Sequence, residues 1–192
     1  LNQLNLKNTV LFGQDWGGLI GLRILVETPL IFKKVMIGNT ALPIGTEDLG
    51  SEFYKWRSYS QNSQTFRIGN IVHNGTFKGL STEEITAYDA PFPNEDYKSG
   101  AREFPLLVPD SIDDPAHNDQ KIAWTKLKKL GKPILTCFSD KDKIMRGLEK
   151  VFTKNIPGAF GQDHFITKNA GHFLQEDAGI FLANRLANFS KL

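Results

Sequence analysis

The chain has 192 residues, of which 40% are hydrophobic and 23% charged, and its formal net charge is +2. That describes a globular chain of about one domain and excludes a nucleic-acid footprint, because no basic cluster stands out. The longest apolar runs fall short of the roughly 20 residues a membrane span needs, and a single cysteine, Cys137, excludes an internal disulfide. A cytoplasmic location is expected on that basis.

In chain order, Leu1 to Asn8 reads as the tail of a helix, and the sequence is expected to enter its fold midway. Thr9-Val10-Leu11-Phe12 is an apolar, β-branched strand. It runs straight into Gly13-Gln14-Asp15-Trp16-Gly17-Gly18, and an apolar helical run follows at once over 17–28. A strand that turns so tightly into a helix needs small residues two before and two after its middle position. The middle residue then stands exposed near the positive end of the helix. Here it is Asp15, in the place where esterases carry a serine nucleophile. A carboxylate is ionised at neutral pH and attacks carbon without an activating base. The competing reading is an Asp that merely caps the helix.

Helix 17–28 is apolar nearly all round and stops before Pro29, as a helix packed on a sheet does. Residues 34–39 form a second strand, so strand, helix and strand make a crossover unit of a parallel sheet. The alternation then breaks from Leu42 to Ile112. A helix is predicted over 46–61, carrying Trp56. A second is opened by the capping box Ser81-Thr82-Glu83-Glu84. Proline-punctuated turns follow around Pro91 and Pro93. A helical insertion of this kind is a cap and carries substrate contacts. The resulting division is 1–42 main domain, 43–112 helical cap and 113–192 main domain continued.

After the cap, a helix over 116–130 leads to a strand at 133–138, and another helix is predicted over 146–154. The strand 164–167 leads to Asn169-Ala170-Gly171-His172-Phe173, and a final helix closes the chain. Ligands of open parallel sheets bind beyond the carboxyl ends of the strands. Asp15, an acid at 140 to 142 and His172 fall there in the order nucleophile, acid, histidine of the α/β-hydrolases. Asp140 and Asp142 compete for the acid's place, and Asp142, deeper in the loop, is favoured. His164 starts its strand at the wrong end of the sheet and reads as structural; His73 and His117 receive no role. Trp124 reads as core packing.

With these residues in place the chain resembles the haloalkane dehalogenases. The resemblance rests on Gln14-Asp15-Trp16-Gly17-Gly18, Phe53-Tyr54-Lys55-Trp56-Arg57, the cap phrase 87–93 and Gly171-His172-Phe173. It implies an α/β-hydrolase fold with an inserted helical cap and a catalytic acid late in the chain. It implies Asp15, Asp142 and His172 as the catalytic residues and Trp16 and Trp56 as the halide-binding pair. Phe53, Phe92, Pro93 and Phe173 would wall the substrate pocket, with no metal and no cofactor. Partners would be a small haloalkane, water and a halide ion, with no nucleic acid and no membrane. Family members also carry an upstream His-Gly loop that supplies a second oxyanion donor. The sequence is therefore expected to correspond to the carboxyl-terminal two-thirds of such an enzyme, with amino-terminal strands missing and self-association through the edge of strand 9–13. Two rival readings stay open. An epoxide hydrolase would share the triad and need two cap tyrosines from Tyr54, Tyr59, Tyr88 and Tyr97; a catalytically silent fragment would keep the triad without the oxyanion loop.

Overall fold

A computed structural model describes residues 1–191. Its sheet is parallel and runs in the order β1 (Thr9–Gln14), β2 (Phe32–Gly38), β3 (Ile134–Thr136). Helix α1 (Trp16–Glu27) makes the crossover between β1 and β2. Strand alternation divides the core into two layers. Val35, Ile37 and Ile134 face one side and pack with Leu22 and Leu25 of α1, Leu127 and Phe152. Met36, Leu135 and Cys137 face the other and pack with Leu174, Leu182 and Phe189. Val35, Met36 and Ile37 are fully buried, each contributing about 1.5–3 kcal/mol by leaving water. A sheet covered on both faces needs such a continuous apolar run. Lys34 fits within it because its Nζ donates to the carbonyl of Phe189 at 2.7 Å.

The excursion between β2 and the second half of the sheet holds α2 (Ser51–Asn62), α3 (Ile68–Gly75), α4 (Thr82–Asp89) and α5 (Ser99–Glu103), followed by a 3-10 turn at Phe104–Leu107. Three more helices follow: α6 (His117–Leu127), α7 (Glu149–Asn155) and α8 (Leu174–Lys191). Among the described residues no helix is long and apolar enough to cross a membrane.

The structure corrects several sequence expectations. Residues Asn2–Leu4 form only a short 3-10 turn, not the end of an α-helix. The helix expected from residue 46 begins at Ser51, because acidic side chains close local turns before it. Glu47 accepts from the N–H groups of Ile44 and Thr46, Asp48 accepts from Gly50 N–H, and Gly50 itself has φ +81°. Helix α7 starts late for a similar reason, behind Gly147 at φ +91°. Helix α3 has no counterpart in the sequence reading. Helix α1 buries one face through Leu19, Leu22, Leu25 and Val26, but leaves Ile20 47% exposed.

The expected strand at 164–167 is an extended segment with one parallel bridge, Ser139 to Thr167. Phe165 and Thr167 donate to the carbonyls of Thr136 and Phe138. The Thr136 N–H that would extend a ladder instead donates to Nδ1 of His164 at 3.0 Å. His164 Nε2 lies 2.7 Å from the Ala159 carbonyl, so this histidine ties a loop to β3.

Candidate active site

Asp15 sits between β1 and α1 with φ +49° and ψ −124°, a conformation that costs a non-glycine residue about 1–3 kcal/mol and needs surrounding bonds to hold it. Those bonds come from the end of β2. Asp15 N–H donates to Asn39 O at 3.0 Å, and Thr40 Oγ1 donates to Asp15 O at 2.7 Å. Gly18 N–H and Leu19 N–H close the first helical turn onto the same carbonyl. The spacing rule for small residues holds at Gly13, where a Cβ would lie 2.8 Å from Gly17 O. It fails at Gly17, whose Cβ would meet nothing within 4 Å; the second obligatory glycine is Gly18, packed against Thr40.

Three chain segments that the sequence reading placed at strand ends converge here. His172 Nδ1 lies 2.8 Å from Asp142 Oδ2, and His172 Nε2 lies 3.5 Å from Asp15 Oδ1. The Asp142 side chain is 1% exposed, against 20% for His172 and 35% for Asp15. Burial acts to raise the Asp142 pKa. The His172 ring and the N–H groups of Met145 and Ile144 outweigh it and hold the carboxyl below its usual range. Burial opposes the charge on His172 as well, but the hydrogen bonds and charges of Asp142 and Asp15 push its pKa up to about 10. Asp140, the competing acid, points elsewhere and lies 3.4 Å from the N–H of Ala170.

Residues to which the sequence assigned no role hold this arrangement. Gln14 Nε2 lies 3.3 Å from His172 Nε2 and donates to the His172 carbonyl at 3.1 Å. Asn39, fully buried at φ +41°, donates through Nδ2 to Ser139 Oγ and to the carbonyls of Gly171 and His172, and accepts from Ser139 N–H. These bonds join positions about a hundred or more apart in the chain.

Beside the carboxylate lies a cavity of about 720 Å³, lined by Asp15, His172, Trp16, Trp56, Phe53 and Phe173 among others. Among the described residues the indole N–H groups of Trp16 and Trp56 donate to no protein acceptor, whereas Trp124 donates to Leu42 O at 2.7 Å. Trp124 also stacks on Phe152 and turns part of its ring to the cavity, so it packs the core and lines the site at once. Phe92 and Pro93 are not brought to the cavity. Phe92 N–H closes a turn onto Asp89 O, which leaves Pro93 exposed at the end of α4. Their expected place is taken by Phe104 and Pro105, Phe104 standing edge-on to Trp16 at 4.8 Å. A short 3-10 turn has no periodicity that would have pointed to them.

No family model matches the chain. It is 50% identical over 189 residues to a haloalkane dehalogenase of Psychrobacter cryohalolentis and 42% identical over 188 residues to one of Mycolicibacterium paratuberculosis, each alignment covering 98% of this chain. The chain spans about three fifths of the length of these curated relatives, 62% in both cases. The tetrameric haloalkane dehalogenase DpaA of Paraglaciecola agarilytica superposes with a TM-score of 0.87 at 29% identity, over 96% of this chain and 61% of that one. Along almost its whole length the chain is similar in sequence to haloalkane dehalogenases, and it has the α/β-hydrolase fold.

Proposed function

We propose that this chain carries the hydrolytic machinery of a haloalkane dehalogenase, turning a haloalkane and water into an alcohol, a halide ion and a proton. The observation that carries the reading is one carboxylate, Asp15, held at a strained elbow between an imidazole and an apolar cavity lined by two indoles whose N–H groups meet no acceptor among the described residues. Asp15 Oδ attacks the halogen-bearing carbon in line; a C–O bond forms as the C–halogen bond breaks, and the halide leaves with the bonding pair. A large, weakly hydrated anion is stabilised by preorganised donors in a dry pocket. Indole supplies a donor and an apolar ring without a competing acceptor, which is the role assigned to Trp16 and Trp56. Phe53, Phe104, Pro105 and Phe173 exclude water around them.

The second step follows from the first. While Asp15 is ionised it helps to keep His172 protonated. Once Asp15 is an ester, that charge is gone and the imidazole pKa falls towards the range of a general base. The imidazolium releases its proton to solvent, and His172 Nε2 then takes a proton from water, whose oxygen attacks the ester carbonyl of Asp15. The acyl C–O bond breaks, the imidazolium returns the proton to the departing alkoxide, and the alcohol leaves with the Asp15 carboxylate restored. Asp142 fixes the tautomer through Nδ1–H and stabilises the imidazolium. The Trp16 N–H, at the first helical position and without an intrahelical acceptor, is an oxyanion donor.

The epoxide reading needs two tyrosines aimed into the cavity. Of the four, only Tyr59 lines it; Tyr88 donates to Glu176, and Tyr54 and Tyr97 are exposed. The division at 43–112 and a cytoplasmic location complete the proposal. They are supported by the run of helices between β2 and α6 and by the unpaired buried Cys137. Incubation with a 1-bromoalkane tests the activity: bromide and alcohol should appear in equal amounts. A folded protein that releases neither, and whose Asp15 stays unmodified, overturns the reading.

A further inference from the structure

The loop that carries His172 is held from two sides. The sheet holds one side, through Asn39 and Ser139. The end of α3 and the loop that leads from it to α4 hold the other: His172 N–H and Phe173 N–H both donate to the carbonyl of Gly75, the last residue of α3, at 2.7 and 3.3 Å. Gly171 packs so closely on that stretch that a Cβ would come within 2.3 Å of Gly75 O.

One side chain spans the contact. Asp177, in the first turn of α8, accepts through Oδ2 from Gly171 N–H at 2.8 Å and from Phe77 N–H at 2.8 Å, and through Oδ1 from Lys78 N–H at 3.0 Å. Bonds of this kind to an ionised acceptor are short and directional. Because the same oxygen serves both loops, neither loop can depart without breaking bonds to it. The neighbouring Glu176 accepts from Tyr88 OH at 2.5 Å, a second tie between α8 and α4 that does not touch the His172 loop.

We propose that Asp177 is a positioning residue that fixes the α3–α4 loop and the His172 loop as one unit, so that the imidazole is aimed at the alkylated Asp15 only while the helical excursion is seated over the sheet. This rests on the dehalogenase reading for its kinetic consequence. His172 acts in ester hydrolysis and not in the displacement that precedes it, so loosening its loop should slow the second step alone.

The test compares Asp177→Ala and Asp177→Glu with Tyr88→Phe in the full chain. Hydrogen exchange reads the backbone amides of 77–78 and 171–173. Rapid mixing with 1-bromohexane separates the bromide burst from steady turnover. Asp177→Ala should lose protection in both loops together, keep the burst rate within about twofold and slow ester hydrolysis about tenfold, the scale of one lost charged hydrogen bond. Asp177→Glu should recover part of the loss, and it carries the test if the alanine variant does not fold. Tyr88→Phe should leave both steps within about twofold. Loss of protection confined to 77–78, or burst and hydrolysis falling together in a folded variant, would overturn the proposal. If the unaltered chain releases no bromide, the dehalogenase reading fails, and the exchange data alone still decide whether Asp177 joins the two loops.

Discussion

Nε2 of His172 stands 3.5 Å from Oδ1 of Asp15, while its Nδ1 stands 2.8 Å from Oδ2 of Asp142. An imidazole between two carboxylates is held protonated, with its pKa raised to about 10. The stability this confers is fully present below the ordinary histidine pKa of about 6.5 and is lost as the pH rises through the raised value. Asp15→Asn imitates the neutral ester without the alkyl group. We expect the His172 ring in that variant to titrate at clearly lower pH by NMR, and the gap in stability between pH 6 and pH 10 to narrow. An unchanged titration would mean that Asp15 does not control the base, and that alkylation is not what releases it.

Replacing the imidazole separates the two chemical steps. In His172→Phe the displacement retains its nucleophile and its halide donors, while no group remains to deprotonate water. The variant should therefore accumulate a covalent alkyl ester after exposure to a bromoalkane, and peptide mass spectrometry should place the added mass on Asp15. Adduct on another residue, or none in a folded variant, would show that the elbow carboxylate is not the nucleophile.

Much of this site was legible because its members announce themselves locally. Asp15 lies between an apolar strand and a glycine-rich helix start, and His172 lies in a short loop after an extended segment; in the fold, likewise, Ser81 and Glu84 complete a capping box that the structure reproduces. Asn39 and Asp177 were not legible, and neither was the role of Gln14 within the elbow motif, since each acts through bonds to backbone groups far away in sequence. The elbow glycines show the same divide. Gly13 followed from the turn itself, but Gly18 is required by Thr40, a residue that only the fold brings against it.

Trp16 and Trp56 should bind halide together. Both line the cavity, among the described residues neither N–H has a protein acceptor, and Trp56 is held in place by stacking on Phe66 at 6.0 Å. Titration with bromide should quench tryptophan fluorescence. Trp56→Phe keeps an aromatic ring against Phe66 and removes the donor, so binding should weaken by about 1.5–3 kcal/mol, the range for a hydrogen bond to a charged group. Unaltered bromide affinity in this variant would remove Trp56 from the halide site.

Gly17 and Gly18 are adjacent, chemically identical and open to opposite outcomes. At Gly18 a Cβ would come 2.2 Å from Thr40 Oγ1 and 2.5 Å from Thr40 Cβ. Thr40 cannot retreat: it is fully buried, and its hydroxyl donates to Asp15 O. Gly18→Ala must therefore push α1 away from the end of β2 and break the bond that supports the strained Asp15 backbone. Overpacking of this kind costs about 1–3 kcal/mol, and the displaced nucleophile should lower the displacement rate as well. At Gly17 a Cβ would meet nothing within 4 Å, and the position is helical. Gly17→Ala should stabilise the protein by about 0.5–1 kcal/mol through helix propensity and leave the elbow in place. Urea denaturation of the two variants reads the contrast, and halide release reads its catalytic counterpart. Equal midpoints would show that the elbow tolerates a methyl group at Gly18, and that Thr40 does not fix the backbone of Asp15.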